Sequence, residues 1–183
     1  MELVLLRHTK PDIADGTCYG STDLKPGAKF TSEAEAALKN LPWKADQILS
    51  SPLARCARLA DHISAAHDTA AVFHDGLKEM DFGAWEGLRW DNVPVDELNQ
   101  WANDLLHARP HGGESVHQMQ QRALSVLEAE DAWRNDTATL VVTHAGVIRA
   151  VLDHAGVRDA WVTQTPYGGG WMISADKTVT ALG

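Results

Sequence analysis

Short apolar runs alternate along the chain with longer stretches of helical periodicity. The runs at residues 3–6 and 139–143 are apolar enough to predict strands that are buried on both faces of a sheet. Shorter strands are predicted at residues 47–50 and 71–73. A terminal hairpin is predicted at residues 171–174 and 178–182.

Helices are predicted between these strands, because apolar side chains recur there every three or four positions. Ser32 with Glu35, and Ser115 with Gln118, have the spacing of a capping box, in which two side chains satisfy free backbone amides at the helix start. The predicted helices cover residues 32–41, 53–66, 94–107, 115–127 and 145–154.

The alternation of strands and helices predicts an α/β fold with a mainly parallel central sheet. The 183 residues form a chain of the length of one compact domain, and we expect a single domain over residues 1–183. Residues 75–113 are irregular and rich in tryptophan. We interpret this segment as an insertion that covers the substrate at one edge of the sheet.

Composition narrows the classes of partner. A formal net charge of −9 disfavours nucleic acid and anionic membranes, since both require a basic face. No apolar run is long enough to span a bilayer, and the residues before Arg7 are too few for a signal peptide, so a cytoplasmic location is expected. The two cysteines, Cys18 and Cys56, form no CxxC pair and are expected to be reduced thiols.

Charged side chains follow the ends of four predicted strands. Arg7 and His8 follow the first, Arg55 the second, Glu79 the third and His144 the late strand at 139–143. The carboxyl ends of parallel strands meet at one edge of a sheet, where ligands bind. We therefore expect two arginines, two histidines and a carboxylate to share one crevice.

This set of side chains suits a phosphoryl group. Arg7 and Arg55 can each bind phosphate oxygens through a bidentate guanidinium. A neutral His8 can attack phosphorus, and His144, if protonated, adds positive charge beside the reacting oxygens. Glu79 can give a proton to the leaving alkoxide and later take one from water. The chemistry requires no metal and no other cofactor.

Five motifs occur in order along the chain: LLRHT, SSPLAR, LKEMDFGAWEG, HGGES and VVTHAGVIRA. Together they resemble the histidine phosphatase superfamily, also called phosphoglycerate mutase-like. The resemblance implies a three-layer α/β/α sandwich. It also implies His8 as nucleophile, Arg7 and Arg55 as phosphate clamps, Glu79 as proton donor and His144 as a second phosphate-contacting histidine.

The stretch RHTKPDIADGTCYGSTDL is most similar to bacterial α-ribazole phosphatases of cobalamin synthesis within that superfamily. The resemblance implies a metal-independent phosphomonoesterase that acts on a small phosphorylated metabolite, with α-ribazole 5′-phosphate as one substrate to test. Thr9 departs from the pattern, because many members have glycine after the histidine. The chain is expected to be a monomer or a homodimer.

Several alternatives stay open at this point. Asp81 and Glu86 lie close to Glu79, and spacing alone does not choose the proton donor. His8, Glu79 and His144 have the side-chain types of a metal site, but that reading leaves both arginines unexplained. A mutase-type phosphoryl transferase and a member that binds phosphorylated ligands without turnover are the other candidate functions.

Four further residues are weaker candidates for substrate binding. Tyr19, Ser21 and Thr22 follow the first strand and could contact phosphate. Trp85, with Trp90 and Trp101, could form a stacking wall for an aromatic substrate, although packing in a core explains tryptophans equally well.

Overall fold

A six-stranded sheet forms the centre of the computed structural model, which describes residues 2–134 and 136–183. The strands are β1 (Glu2–Arg7), β2 (Gln47–Ser50), β3 (Ala71–Phe73), β4 (Ala138–Thr143), β5 (Gly170–Ser174) and β6 (Val179–Leu182). Their order across the sheet is β3-β2-β4-β1-β5-β6. The first four strands in this order are parallel, and β5 and β6 run antiparallel to their neighbours.

The register of β1 and β4 determines the position of the site. Arg7 lies beside Thr143, so both strands end at the same level. β2 ends next to β4, with Ser50 paired to Val142. The carboxyl ends of the three strands therefore form one edge, as the sequence predicts.

Helices cover both faces of the sheet. They are α1 (Phe30–Lys39), α2 (Ala54–His67), α3 (Val95–Asn103), α4 (Val116–Ala129) and α5 (Ala145–His154). Side chains alternate between faces along β1: Val4 and Leu6 pack with residues of α1 and α2, whereas Leu3 and Leu5 pack with residues of α4 and α5. The predicted three-layer α/β/α sandwich is confirmed.

The helix boundaries agree with the local sequence signals in one case and differ from them in two. The capping box of Ser115 and Gln118 is present at the start of α4. The one predicted at Ser32 is wrong: α1 begins at Phe30, and the Ser32 hydroxyl donates to the Lys29 carbonyl at 2.9 Å. The helix predicted over 94–107 ends at Asn103, because the backbone of Asp104 leaves the helical region.

The tryptophan-rich segment 75–113 contains α3 and three short 3-10 turns, at Asp75–Leu77, Gly83–Trp85 and Trp90–Asn92. It has a small core of its own, in which Trp85 packs with Val93 and with Cys18 from the loop after β1. The segment is thereby attached to the loop that follows the first strand.

Two expectations from composition can be compared with the structure. Cys18 and Cys56 are both buried and free of disulfide bonds, as expected. Among the helices of the described residues, none is long and apolar enough to cross a membrane.

Candidate active site

The edge formed by β1, β2 and β4 brings His8 and His144 together. His8 directly follows β1, and its backbone amide donates to the Thr143 carbonyl at 3.0 Å. His144 directly follows β4 and precedes the first turn of α5. The two imidazole rings lie with their centroids 5.1 Å apart, at an interplanar angle of 61°. Residues 136 positions apart in the sequence thus face each other.

The ring of His8 is fixed in one tautomer. Its Nδ1 lies 2.7 Å from the carbonyl oxygen of Thr9, and because a carbonyl only accepts, Nδ1 carries the hydrogen. The lone pair is then on Nε2. Burial, followed by the positive charges of Arg55 and Arg7, holds the pKa of His8 well below its usual range. His8 is therefore a neutral imidazole with a free Nε2 at neutral pH.

His144 is fully buried and held by groups from α2 and its preceding turn. Its Nε2 lies 2.9 Å from the Ser51 hydroxyl and 3.4 Å from Cys56 Sγ. Burial, then the neighbouring His8 and Arg55, holds the pKa of His144 well below its usual range. The free site therefore holds His144 as a neutral imidazole, in contrast to the cation considered from the sequence.

Arg7 and Arg55 bring positive charge to the same place without an acidic partner. The guanidinium of Arg7 donates to the Thr165 carbonyl at 2.6 Å, and that of Arg55 donates to the Gly20 and Thr22 carbonyls at 2.7 and 2.8 Å. Arg55 is completely buried. Within residues 2–134 and 136–183, neither arginine forms an ion pair, and the Nε of each is buried without a hydrogen-bond partner. A buried cation without a counterion is costly, as at Arg55, and an anion bound between the two arginines would remove that cost.

Two tyrosines lie over the arginines. The Tyr167 ring is 3.9 Å from Arg7 Cζ, and the Tyr19 ring is 5.3 Å from Arg55 Cζ. The two hydroxyl groups lie 2.8 Å apart, within hydrogen-bond distance. The sequence predicts Tyr19 at this site but not Tyr167. Nothing in PYGGG, the local sequence around Tyr167, indicates that this residue contacts β1.

The three carboxylates left open by the sequence have different surroundings. Glu79 lines the cavity beside Arg7 and His8, and its two oxygens accept from Met80 N and Gly146 N at 3.0 Å each. Asp81 is exposed and accepts from Gly83 N at 2.8 Å. Glu86 is occupied by hydrogen bonds from the loop after β1. Only Glu79, of these three, faces the space next to the nucleophile.

A cavity of about 380 Å³ extends from His8 and Glu79. Its apolar wall comes mainly from the tryptophan-rich segment and from the turn after α5, and includes Met80, Phe82, Trp90, Trp101 and Trp161. Arg149 also lines it, with its Nε donating to the Thr163 carbonyl at 2.9 Å. Sequence reasoning missed Arg149, although its position one turn after Gly146 on the same helix placed it on the side of the site.

Three of the weaker candidates lie elsewhere. Ser21 and Thr22 direct their hydroxyl groups to the Glu86 carboxylate. Trp85 is 1% exposed, donates its indole N–H to Glu97 at 2.6 Å and does not line the cavity. The structure thus places Trp85 in a core, while Trp90 and Trp101 do reach the cavity. In the described part of the chain, no three potential ligands lie close enough to hold a metal ion, including His8, Glu79 and His144.

Comparison with known proteins agrees with this fold. Residues 3–164 match the family description "Histidine phosphatase superfamily (branch 1)", and the chain belongs to this superfamily. It is 30% identical over 169 residues to "Putative phosphoserine phosphatase 2" of Hydrogenobacter thermophilus, covering 87% of this chain and 82% of the relative. It is 24% identical over 159 residues to the adenosylcobalamin/alpha-ribazole phosphatase of Salmonella typhimurium, covering 83% and 78%.

Among solved structures, mycobacterial glucosyl-3-phosphoglycerate phosphatase Rv2419c has the same fold. It superposes with a TM-score of 0.82 at 20% identity, covering 98% of this chain and 96% of that one. The two curated relatives have phosphatase names that contain different substrates. The comparisons therefore show the superfamily and support a phosphatase, and they do not identify a substrate.

Proposed function

We propose that this protein is a phosphomonoesterase that works through a phosphohistidine at His8, without a metal ion. The observation that carries the proposal is the pair of guanidinium groups of Arg7, which is partly buried, and Arg55, which is fully buried. Both have a buried Nε without a hydrogen-bond partner, and in the described residues neither has a carboxylate partner. A phosphate dianion supplies the missing negative charge. Its phosphorus then comes within reach of the Nε2 lone pair.

The reaction has two steps in which each group is used twice. In the first, His8 Nε2 forms a bond to phosphorus as the bond to the leaving oxygen breaks, and Glu79 gives its proton to that oxygen. In the second, water attacks phosphorus, Glu79 takes a proton from the water and the phosphorus–nitrogen bond breaks, which restores neutral His8. Arg7, Arg55 and the hydrogen-bonding His144 stabilise the charge on the phosphoryl oxygens in both steps.

The cavity supports a small phosphorylated metabolite with a flat apolar portion as substrate. Phe82, Trp90, Trp101 and Trp161 offer aromatic surfaces within the cavity of about 380 Å³ that opens from His8 and Glu79. Residues 75–113 supply three of these side chains, so we propose that this segment covers the leaving group. α-Ribazole 5′-phosphate carries a flat aromatic base that matches this description, and it is the specific substrate we propose to test.

Replacement of the nucleophile tests the proposal. His8→Ala should abolish hydrolysis of p-nitrophenyl phosphate, while His117→Asn, a control at an exposed histidine, should keep the activity of the wild type. EDTA should not change the wild-type rate. Full activity of His8→Ala would overturn the mechanism.

A substrate panel then separates the remaining possibilities. We expect the ratio kcat/KM to be higher for α-ribazole phosphate than for phosphoserine or glycerol phosphate. Interconversion of phosphoglycerates in a coupled assay would identify a mutase instead. Tight binding of phosphate with no turnover on the whole panel would identify a protein that only binds phosphorylated ligands.

A further inference from the structure

Glu86 makes more hydrogen bonds than a surface carboxylate requires. One oxygen accepts from Ser21 N at 2.8 Å, from the Ser21 hydroxyl at 3.0 Å and from Phe82 N at 3.1 Å. The other accepts from Thr22 N at 2.8 Å and from the Thr22 hydroxyl. Partial burial opposes ionisation, but these hydrogen bonds outweigh it and lower the pKa of Glu86. The group is a fixed anion that holds two consecutive residues of the loop after β1.

The same loop holds the guanidinium of Arg55. The carbonyls of Gly20 and Thr22 accept from its two terminal nitrogens at 2.7 and 2.8 Å. Along the backbone, the amides of Ser21 and Thr22 that bind Glu86 lie between these two carbonyls. The position of the carboxylate therefore determines where the two carbonyls lie, and they in turn determine the direction of the buried guanidinium.

Other contacts leave the loop little freedom to compensate. A Cβ on Gly20 would lie 1.8 Å from the Met80 carbonyl oxygen, so the backbone there is packed against residues 80–82. On its other side, the Asp23 carboxylate accepts from Ala54 N at 2.7 Å, next to Arg55 at the start of α2. The loop is thus a short bridge between the tryptophan-rich segment and the helix that carries the clamp.

We propose that Glu86 is a positioning residue for phosphate binding, which acts on Arg55 through residues 20–22. The inference rests on the proposed function and adds a part to it: an acid in the tryptophan-rich segment sets the geometry of an arginine in the first turn of α2. Glu86 does not line the cavity that opens from His8, and it is distinct in this respect from Glu79.

Glu86→Gln is the informative variant, because it keeps the shape and exchanges one acceptor oxygen for a donor. Either orientation of the amide turns an NH2 group towards a backbone N–H that it cannot accept from. We expect the dissociation constant of inorganic phosphate, measured by calorimetry, to rise about tenfold or more. We expect KM for p-nitrophenyl phosphate and for glycerol phosphate to rise by the same factor.

Three comparisons separate positioning from a general loss of structure. Glu97→Gln, which alters the acid that binds the Trp85 indole in the same segment, should leave the phosphate affinity unchanged. In an Arg55→Lys background, Glu86→Gln should weaken phosphate binding by much less than in the wild type, because the group it positions is no longer there. Should Glu86→Gln fail to fold, the double variant Ser21→Ala with Thr22→Val removes only the two hydroxyl contacts and should raise the dissociation constant in the same direction.

The outcomes distinguish this inference from the proposed function. Wild-type phosphate affinity in folded Glu86→Gln, or equal weakening in the Arg55→Lys background, would overturn the positioning role and leave the phosphatase proposal intact. Failure of the wild type itself to bind or release phosphate would overturn the proposed function.

Discussion

Gly146 offers a substitution that should separate catalysis from stability. A Cβ at this position would lie 2.2 Å from Glu79 Oε1 and 3.1 Å from Glu79 Cδ. The backbone of Gly146 has no positive φ, so alanine can adopt its conformation. Because the obstructing atoms are the end of a flexible side chain, Gly146→Ala should displace the carboxylate and leave the backbone in place.

The two consequences differ in size. Loss of the hydrogen bond from Gly146 N to Glu79 costs about 1.5–3 kcal/mol. Alanine in the first turn of α5 returns up to about 1 kcal/mol in helix propensity. For a chain of this length, each kcal/mol corresponds to roughly 2–4 °C in Tm, so the loss should be a few degrees. Loss of a positioned general acid slows the reaction by about 10²–10⁴, or about 3–5 kcal/mol in the barrier.

The leaving group provides the assay. Glycerol leaves from glycerol phosphate as a poorly stabilised alkoxide, so its departure needs a proton from the general acid. p-Nitrophenolate is a stabilised anion and leaves from p-nitrophenyl phosphate without one. Gly146→Ala should therefore lose far more kcat on glycerol phosphate than on p-nitrophenyl phosphate, with a Tm lowered by only a few degrees.

Glu79→Gln is the matched comparison. It should show the same dependence on leaving group, and the variant that combines both changes should be no slower than Glu79→Gln alone. The reasoning is refuted if Gly146→Ala hydrolyses glycerol phosphate at the wild-type rate, or if the two changes slow the reaction independently.

Three further predictions concern stability and its dependence on pH. His8 and His144 have pKa values lowered well below the usual range in the folded state, whereas in the unfolded chain they titrate near 6.5. The unfolded chain therefore takes up protons below that pH that the folded chain does not. The free energy of unfolding from denaturant titrations should fall by roughly 1 kcal/mol per buried histidine between pH 7.5 and 5.5. The same slope in His144→Asn would contradict this. Trp85→Ala should destabilise the fold by about 3–5 kcal/mol, since the side chain fills a core, and should leave KM nearly unchanged. Normal stability with a raised KM would instead support a role of Trp85 in stacking against the substrate. Ser115→Ala should lower the free energy of unfolding by about 1 kcal/mol through loss of the capping box of α4, and Ser32→Ala, at the predicted box that did not form, should change it far less.

The sheet and the residues at its carboxyl edge could be predicted because their signals are local. β1 and β4 are short apolar runs, and a titratable side chain stands at or directly after the end of each, Arg7 and His8 for β1 and His144 for β4. The parallel topology then brings these side chains together, since the carboxyl ends of parallel strands lie at the same edge of the sheet. The signal for the start of α4 is equally local, because Ser115 and Gln118, the partners of its capping box, lie three residues apart.

The parts that could not be predicted depend on contacts between distant segments. Tyr167 contacts Arg7 across almost the whole length of the chain, and no periodicity indicates it. Ser21 and Thr22 follow the nucleophile in the sequence and from there could contact phosphate, but their hydroxyl groups bind Glu86 of the tryptophan-rich segment. Trp85 and Trp90 are five residues apart with similar surroundings in sequence, and only the packing of that segment places one in a core and the other at the cavity.

The position of β1 in the sheet has a consequence for how the chain is made. Both neighbours of this strand come late: Glu2 pairs with Ala138 on one side and with Ser174 on the other. During synthesis on the ribosome, β1 emerges before both of its partner strands, and it has neither of them until residues 138–143 have followed. Pairings between such remote residues form slowly, and unpaired apolar strands aggregate. β1 is thus translated well before its two partner strands and is completed only when they arrive, and until then it is an unpaired apolar strand exposed to aggregation.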